Sequence, residues 1–181
     1  MNTKYIMAFL TLIVFLSVGT AGAKNKNQAD FEALQKKVEQ HLKIFDDLDF
    51  NVFSNQEWNE LGRSHSKDVK VHWPDGHVTT GIDKHIEDLK YMFTYAPDTR
   101  IKEHPIKIGQ GEWTAVYGVM EGTFSKPMKM PDGKIIPPTG KSFKLGMATI
   151  GHWTKDGVMD EEYLFWDLSL IHISEPTRPL Y

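Results

Sequence analysis

The spacing of apolar residues changes from a helical period to a strand-like period near Thr99. Before that point, five apolar residues lie three or four positions apart: Phe31, Leu34, Val38, Leu42 and Phe45. This spacing predicts an amphipathic helix, with Asp30 placed to cap its start. A short second helix should bury Trp58 and Leu61.

Two further elements are predicted before Thr99. The segment DVKVHW alternates apolar and polar residues, which predicts a strand ending at Pro74-Asp75-Gly76, and HVTTG is placed to add a short hairpin strand to it. A third helix should follow and end before Pro97, because one apolar stripe joins Ile82, Ile86, Leu89 and Phe93.

Beyond Thr99 the apolar period is two. Four segments show this alternation: RIKEHPIKIG, EWTAVYGVMEGTF, KSFKLGMATIGHW and VMDEEYLFWD. Helices followed by consecutive strands predict an α+β domain, in which N-terminal helices pack on a strongly curved, mainly antiparallel sheet.

The two ends of the sequence differ in character from this domain. Residues 1–23 carry Lys4, an apolar run from Tyr5 to Val18 and the small residues Ala21-Gly22-Ala23, which predicts a secretory signal peptide cleaved near Ala23. We therefore expect a secreted or periplasmic protein with no membrane anchor after cleavage. Residues 169–181 resemble the translation of a sequencing adaptor, or else form a disordered Pro-containing tail. Residues 24–168 remain as one domain.

The charge and residue composition exclude several kinds of partner and site. Removing Lys4 leaves 20 basic residues against 24 acidic ones, without a basic stripe, so we expect no nucleic-acid partner. The chain has no cysteine and its eight histidines form no HExxH pattern, so we predict no metal site and no disulfide.

Several blocks resemble the SnoaL-like polyketide cyclases, also called ester cyclases, of the NTF2-like superfamily. They are HWPDGHVTTGIDKHIEDLKYMFTYAPDTRI, GTF, PPTGKSF and KDGVMDEEYLFWD, in the family's order and spacing. The resemblance runs from Phe31 to Asp167. It implies a cone-shaped fold that encloses an apolar pocket, and a cofactor-free reaction in which an aspartate at the position of Asp167 removes a proton next to a carbonyl group.

The resemblance and strand alternation together give candidate site residues. If Asp167 points into the pocket, Tyr163 and Phe165 point there too, and Leu164 and Trp166 face the other way. The family's cyclases carry a histidine where this chain has Met120, so His72 and His104 are candidates for a second catalytic group. We expect these substrate contacts: Trp73, Phe93, Val116, Met120, Tyr163 and Phe165.

Two functions therefore stay open. The first is a cyclase, isomerase or dehydratase that uses Asp167 as general base on a small apolar carbonyl compound or ester. The second is an exported protein that binds a small apolar ligand without chemistry. In either case we expect a homodimer, because rows of exposed apolar residues favour association. If Asp167 points into the pocket, Leu164 and Trp166 lie on the outer face of the sheet, and that face would form the dimer interface.

Overall fold

The computed structural model describes the backbone of residues 11–130 and 132–167, and side chains from residue 26 onward. It divides into two compact units, residues 1–37 and 38–181. The first unit contributes most of helix α1 (Thr11–Asp47), in which Phe31 and Leu34 are exposed. The predicted start at Asp30 is wrong, because the helix begins upstream. Part of the predicted signal peptide, residues 1–10, and the predicted tail, residues 169–181, lie outside the described residues.

The second unit begins with the end of α1 and continues through two short helical segments. A π-helical turn covers Leu48–Phe53 and a 3₁₀ helix covers Trp58–Arg63, where Leu61 is fully buried. Helix α2 spans Ile82–Tyr95, as its apolar stripe predicted. Among the described residues, no helix is long and apolar enough to cross a membrane.

The described residues form eight strands. Their bounds are β1 (His65–His72), β2 (Val78–Thr80), β3 (Arg100–Gln110), β4 (Trp113–Thr123), β5 (Met128–Lys129), β6 (Ile135–Ile136), β7 (Ser142–Trp153) and β8 (Met159–Trp166). Two of them, β5 and β6, lie outside the predicted segments, which the other six follow. Those six form one sheet in the order β2-β1-β8-β7-β4-β3, and β5 and β6 pair separately. Strands β1 and β8 are parallel and the other neighbours are antiparallel. The α+β prediction is therefore confirmed, including the hairpin strand from HVTTG.

The core lies on the sheet face that also meets the helices. One apolar cluster joins Phe93 and Met92 of α2 to Met120, Leu145 and Leu164 of the sheet. A second cluster joins the end of α1 to Val116, Trp153 and Met159. Register shifts in β3 and between β7 and β8 bend the strands locally, because an extra residue on one strand increases its twist.

Candidate functional site

Strand β8 presents its alternate residues to opposite faces, and the observed faces reverse the predicted ones. Glu162 and Leu164 are buried, whereas Phe165 is 51% exposed and Asp167, just after the strand, is exposed. Leu164 and Trp166 line an internal cavity and Tyr163 and Phe165 do not. The prediction that Asp167 points into the pocket is therefore wrong. That prediction assumed that Asp167 continues the alternation of β8. Asp167 lies beyond Trp166, the last paired residue of the strand, and a residue there need not follow the strand's pleat.

The cavity lies between the inner sheet face and the helices and has a volume of about 40 Å³. Its apolar wall includes three methionines, Met92, Met120 and Met147. Five ionisable side chains also reach it: Asp49, His65, His85, Asp88 and Glu162. So many ionisable groups around one small apolar cavity are costly to bury without a function.

Asp49 forms one end of a hydrogen-bonded chain that leads away from the cavity. His104 Nε2 lies 2.9 Å from Asp49 Oδ2, and His104 Nδ1 lies 2.8 Å from Asp46 Oδ1. The π-helical turn places Asp49 one turn beyond Asp46, so both carboxyl groups face the same strand, β3. Asp46 is partly exposed and also accepts a hydrogen bond from Lys107 at 2.5 Å. The chain thus links the cavity to the surface.

The pKa values of Asp49 and His104 are both raised, for different reasons. Burial raises the pKa of Asp49, and nearby Glu162 adds to the rise, although His104 opposes it. Burial alone would lower the pKa of His104, but its hydrogen bonds and charge contacts with Asp49 and Asp46 raise it above the ordinary value. Asp49 is therefore a stronger base than an exposed aspartate, and His104 holds its second proton more firmly.

Three other buried side chains that line the cavity converge from separate elements. His65 at the start of β1 and His85 of α2 are each 2% exposed, and Glu162 of β8 is 4% exposed. The Glu162 carboxylate lies 3.6 Å from His65 Nε2 and 3.4 Å from His85 Nε2. Burial lowers the pKa of His85 to about 4, so its ring is neutral near pH 7. Burial alone would raise the pKa of Glu162, but His65 and His85 outweigh it and hold that pKa below its usual value.

The remaining predicted site residues divide between the cavity and other places. Trp73 and Met120 line the cavity. Phe93 and Val116 are buried in the two core clusters and do not line it. The predicted roles of Tyr163 and Phe165 as pocket residues are wrong, because both lie on the opposite face of β8 from Leu164.

The two predicted histidines have different surroundings. His72 stacks on Tyr163 with ring centroids 4.1 Å apart and lies 2.8 Å from Glu161, outside the cavity lining. A catalytic role for His72 in this cavity is therefore wrong. His104 reaches the cavity through Asp49, as described above.

Sequence reasoning missed Asp49, His65, His85 and Glu162. Two signals were available. His85 interrupts the apolar stripe of α2, one position before Ile86 and three after Ile82. Glu162 shares its strand face with Leu164 and Trp166, so a correct assignment of the faces would have identified a buried carboxylate.

Comparisons with known proteins agree with this fold. The sequence model of the SnoaL-like polyketide cyclase family matches residues 48–171, which is more than half of the chain. No curated protein matches the sequence significantly.

Solved structures share the fold at low sequence identity. One is a protein from Jannaschia sp. CCS1 proposed to be a SnoaL-like polyketide cyclase, at 17% identity and a TM-score of 0.65, covering 78% of this chain and 94% of its own. Another is IdmH from Streptomyces antibioticus, proposed to be a polyketide cyclase, with 17% identity and a TM-score of 0.62. The match covers 75% of this chain and 97% of IdmH. A SnoaL-like polyketide cyclase from Agrobacterium tumefaciens has 17% identity and a TM-score of 0.54. The match covers 67% of this chain and 87% of that protein. The protein has the NTF2-like fold of these structures, and the family match shows that it belongs to the SnoaL-like polyketide cyclases.

Proposed function

We propose that the protein is an enzyme of the cyclase or isomerase type that removes a proton next to the carbonyl group of a small apolar compound or ester. Asp49, rather than Asp167, is the general base. The observation that carries the proposal is the position of Asp49, which lines the cavity while its Oδ2 atom is held 2.9 Å from buried His104.

The proposed reaction needs a base whose position is fixed and whose affinity for a proton is high. The hydrogen bond from His104 fixes the carboxyl group, and burial raises the pKa of Asp49. Asp49 would take the proton from the carbon next to the carbonyl and return it to another atom of the same substrate. Such proton transfer by a positioned side chain typically accelerates a reaction by about 10²–10⁴-fold.

The cavity limits the substrate. About 40 Å³ holds only a few water-sized groups, so a substrate must displace part of the lining. Met92, Met120 and Met147 can do this at low cost, because methionine side chains are unbranched and change rotamers readily. We therefore favour a compact, mostly apolar substrate.

One observation favours a second function, ligand binding without chemistry. Met120 lines the cavity at the position where the resemblance to the cyclases predicts a histidine. A protein without that histidine could keep the pocket and bind an apolar molecule.

Solvent exchange would test the catalytic proposal with simple carbonyl compounds in place of the natural substrate. The protein is mixed in D₂O with a panel of small β-keto esters and 1,3-diketones, and NMR follows deuterium incorporation next to the carbonyl groups. We expect catalysed exchange of at least one compound, reduced by about 10²-fold or more in Asp49→Asn. Asp75→Asn is the matched control, because Asp75 is exposed on a turn and should leave the rate unchanged.

Three outcomes separate the possibilities. Exchange at the wild-type rate in a folded Asp49→Asn variant would eliminate Asp49 as the base. No exchange with any compound, together with a rise in thermal midpoint on adding one of them, would indicate the binding function. Absence of both exchange and binding across the panel would reject an apolar carbonyl ligand.

We also propose that the protein is exported and forms a homodimer. Export is supported by the pattern of residues 1–23. For the dimer, the outer sheet face bears Ile106, Tyr117, Ile150 and Phe165, all exposed, and not Leu164 and Trp166 as predicted from the sequence. An apolar row of this size favours association with a second copy. N-terminal sequencing of protein recovered outside the cytoplasm would test cleavage near Ala23.

A further inference from the structure

His65, His85 and Glu162 share features that a proton-transfer reaction at Asp49 does not explain. The three residues come from β1, α2 and β8, and none is more than 4% exposed. Each side chain has an atom without a hydrogen-bond partner among the described residues: His65 Nε2, His85 Nδ1 and Glu162 Oε2. Buried polar atoms are normally paired, since leaving one unpaired costs about 1–3 kcal/mol. Two of these atoms, His65 Nε2 and Glu162 Oε2, lie 3.6 Å apart and indicate a missing partner between them.

We infer that His65, His85 and Glu162 bind a divalent metal ion, with zinc the best match. One potential ligand atom from each of the three side chains lies within 4.8 Å of the others. The distances from Glu162 Oε2 to the two Nε2 atoms, 3.6 and 3.4 Å, are too long for hydrogen bonds. They are close to the separation of about 3.4 Å between two ligands bound tetrahedrally at about 2.1 Å from a zinc ion.

The surroundings of His65 orient it for this role. Ser64 Oγ lies 2.9 Å from His65 Nδ1, and it also donates to the backbone oxygen of Leu61. The Ser64 oxygen can therefore accept a hydrogen bond from Nδ1–H, which leaves the lone pair on Nε2, the atom nearer to Glu162. Histidine ligands of metal ions commonly have their second nitrogen fixed in this way.

The donor set selects the class of ion. Two imidazole nitrogens and one carboxylate suit zinc and similar transition metals, whereas Mg²⁺ and Ca²⁺ prefer oxygen ligands alone. Three protein ligands leave one tetrahedral position open, and the cavity that all three residues line is where a water molecule or substrate would occupy it. The three residues lie far apart in the chain and match no sequence motif, so the prediction of no metal site could not take them into account.

The inference concerns binding and does not depend on the proposed reaction. If both hold, an ion held by this cluster would polarise a carbonyl oxygen in the cavity while Asp49, which lines the same cavity, takes the proton. Metal removal should then slow exchange, but binding can be measured without any substrate.

Titration of metal-free, tag-free protein would test the site. Protein treated with EDTA and then freed of it is titrated with Zn²⁺ in a calorimeter, and separately with Co²⁺ while the visible spectrum is recorded. We expect one equivalent to bind, and Co²⁺ to give the visible absorption of a tetrahedral site. Glu162→Gln and His85→Gln should each weaken Zn²⁺ binding by about 10²-fold or more. His77→Gln is the control, because His77 is half exposed and pairs with neighbouring Asp75 and Trp73.

The wild-type protein alone can overturn the inference. If one equivalent of Co²⁺ gives no visible absorption and Zn²⁺ releases no heat above the buffer control, the cluster is a buried acid–base group and not a metal site. Binding that His77→Gln abolishes, or that a folded Glu162→Gln variant retains at full affinity, would assign the ion to the surface and equally reject the site.

Discussion

Replacing His104 with glutamine should destabilise the protein strongly, because His104 connects two carboxyl groups. Its side chain has no exposed surface and lies 2.8 Å from Asp46 and 2.9 Å from Asp49. Hydrogen bonds between charged groups contribute about 1.5–3 kcal/mol each, so the two together contribute about 3–6 kcal/mol. A glutamine amide can restore one weaker bond of about 1 kcal/mol. We therefore expect the free energy of unfolding to fall by about 2–5 kcal/mol.

Urea denaturation at pH 6, followed by tryptophan fluorescence, measures this loss. With a slope of about 2 kcal/mol per molar urea, the midpoint should fall by about 1–2.5 M and the slope should stay unchanged. His77→Gln is again the control, and its exposed ion pair with Asp75 should be worth less than about 1 kcal/mol. A loss below about 1 kcal/mol for His104→Gln would show that the chain from Asp49 to Asp46 does not hold the site together.

Three further predictions address charge, assembly and packing. In an NMR titration His104 should show a pKa above its ordinary value of 6.5, and Asp49→Asn should lower that pKa by removing one of its two carboxylate partners; an unchanged pKa would contradict the pairing. Since the folded pKa of His104 is raised, its charge contributes stability that is fully present below pH 6.5 and is lost as the pH rises through the folded value. Phe165→Glu should convert the expected dimer to a monomer in sedimentation experiments, and a wild-type protein already monomeric at micromolar concentration would refute the dimer. Gly122→Ala should lower the free energy of unfolding by about 1–3 kcal/mol, because an added Cβ would lie 2.8 Å from the ring of Phe143, whereas Gly62→Ala has its nearest neighbour at 4.0 Å and should cost far less.

Secondary structure was predictable here because each long element carries many residues of the same period. Four apolar residues on one stripe defined α2, and β4 and β7 pair along eleven consecutive positions within segments that the alternation had outlined. The start of α1 was not predictable from a cap, since Asp30 lies inside a continuous helix.

The site was less predictable, because its residues are brought together by tertiary structure. The alternation along a strand predicts which residues share a face, but not which face is buried. Because Asp167 was assigned to the pocket, the inner and outer faces of β8 were exchanged in the prediction. His65 and Glu162 become neighbours through the parallel pairing of β1 with β8, and no local pattern encodes that pairing. His104 was identified as a candidate, yet its partner Asp49 lies 55 positions away.

The pairing of β1 with β8 also sets the order of events during synthesis of the chain. A ribosome adds about 5–20 residues per second. Strand β1 therefore emerges well before its partner β8 is made, because His72 of β1 and its contact Glu161 of β8 are 89 positions apart. Until then β1 has only the three-residue β2 on one side, and its other edge is open to pairing with another nascent chain. The cluster around Glu162 is thus completed last, and any truncated product that ends before β8 lacks the strand that joins β2-β1 to β7-β4-β3 and lacks part of the cavity lining.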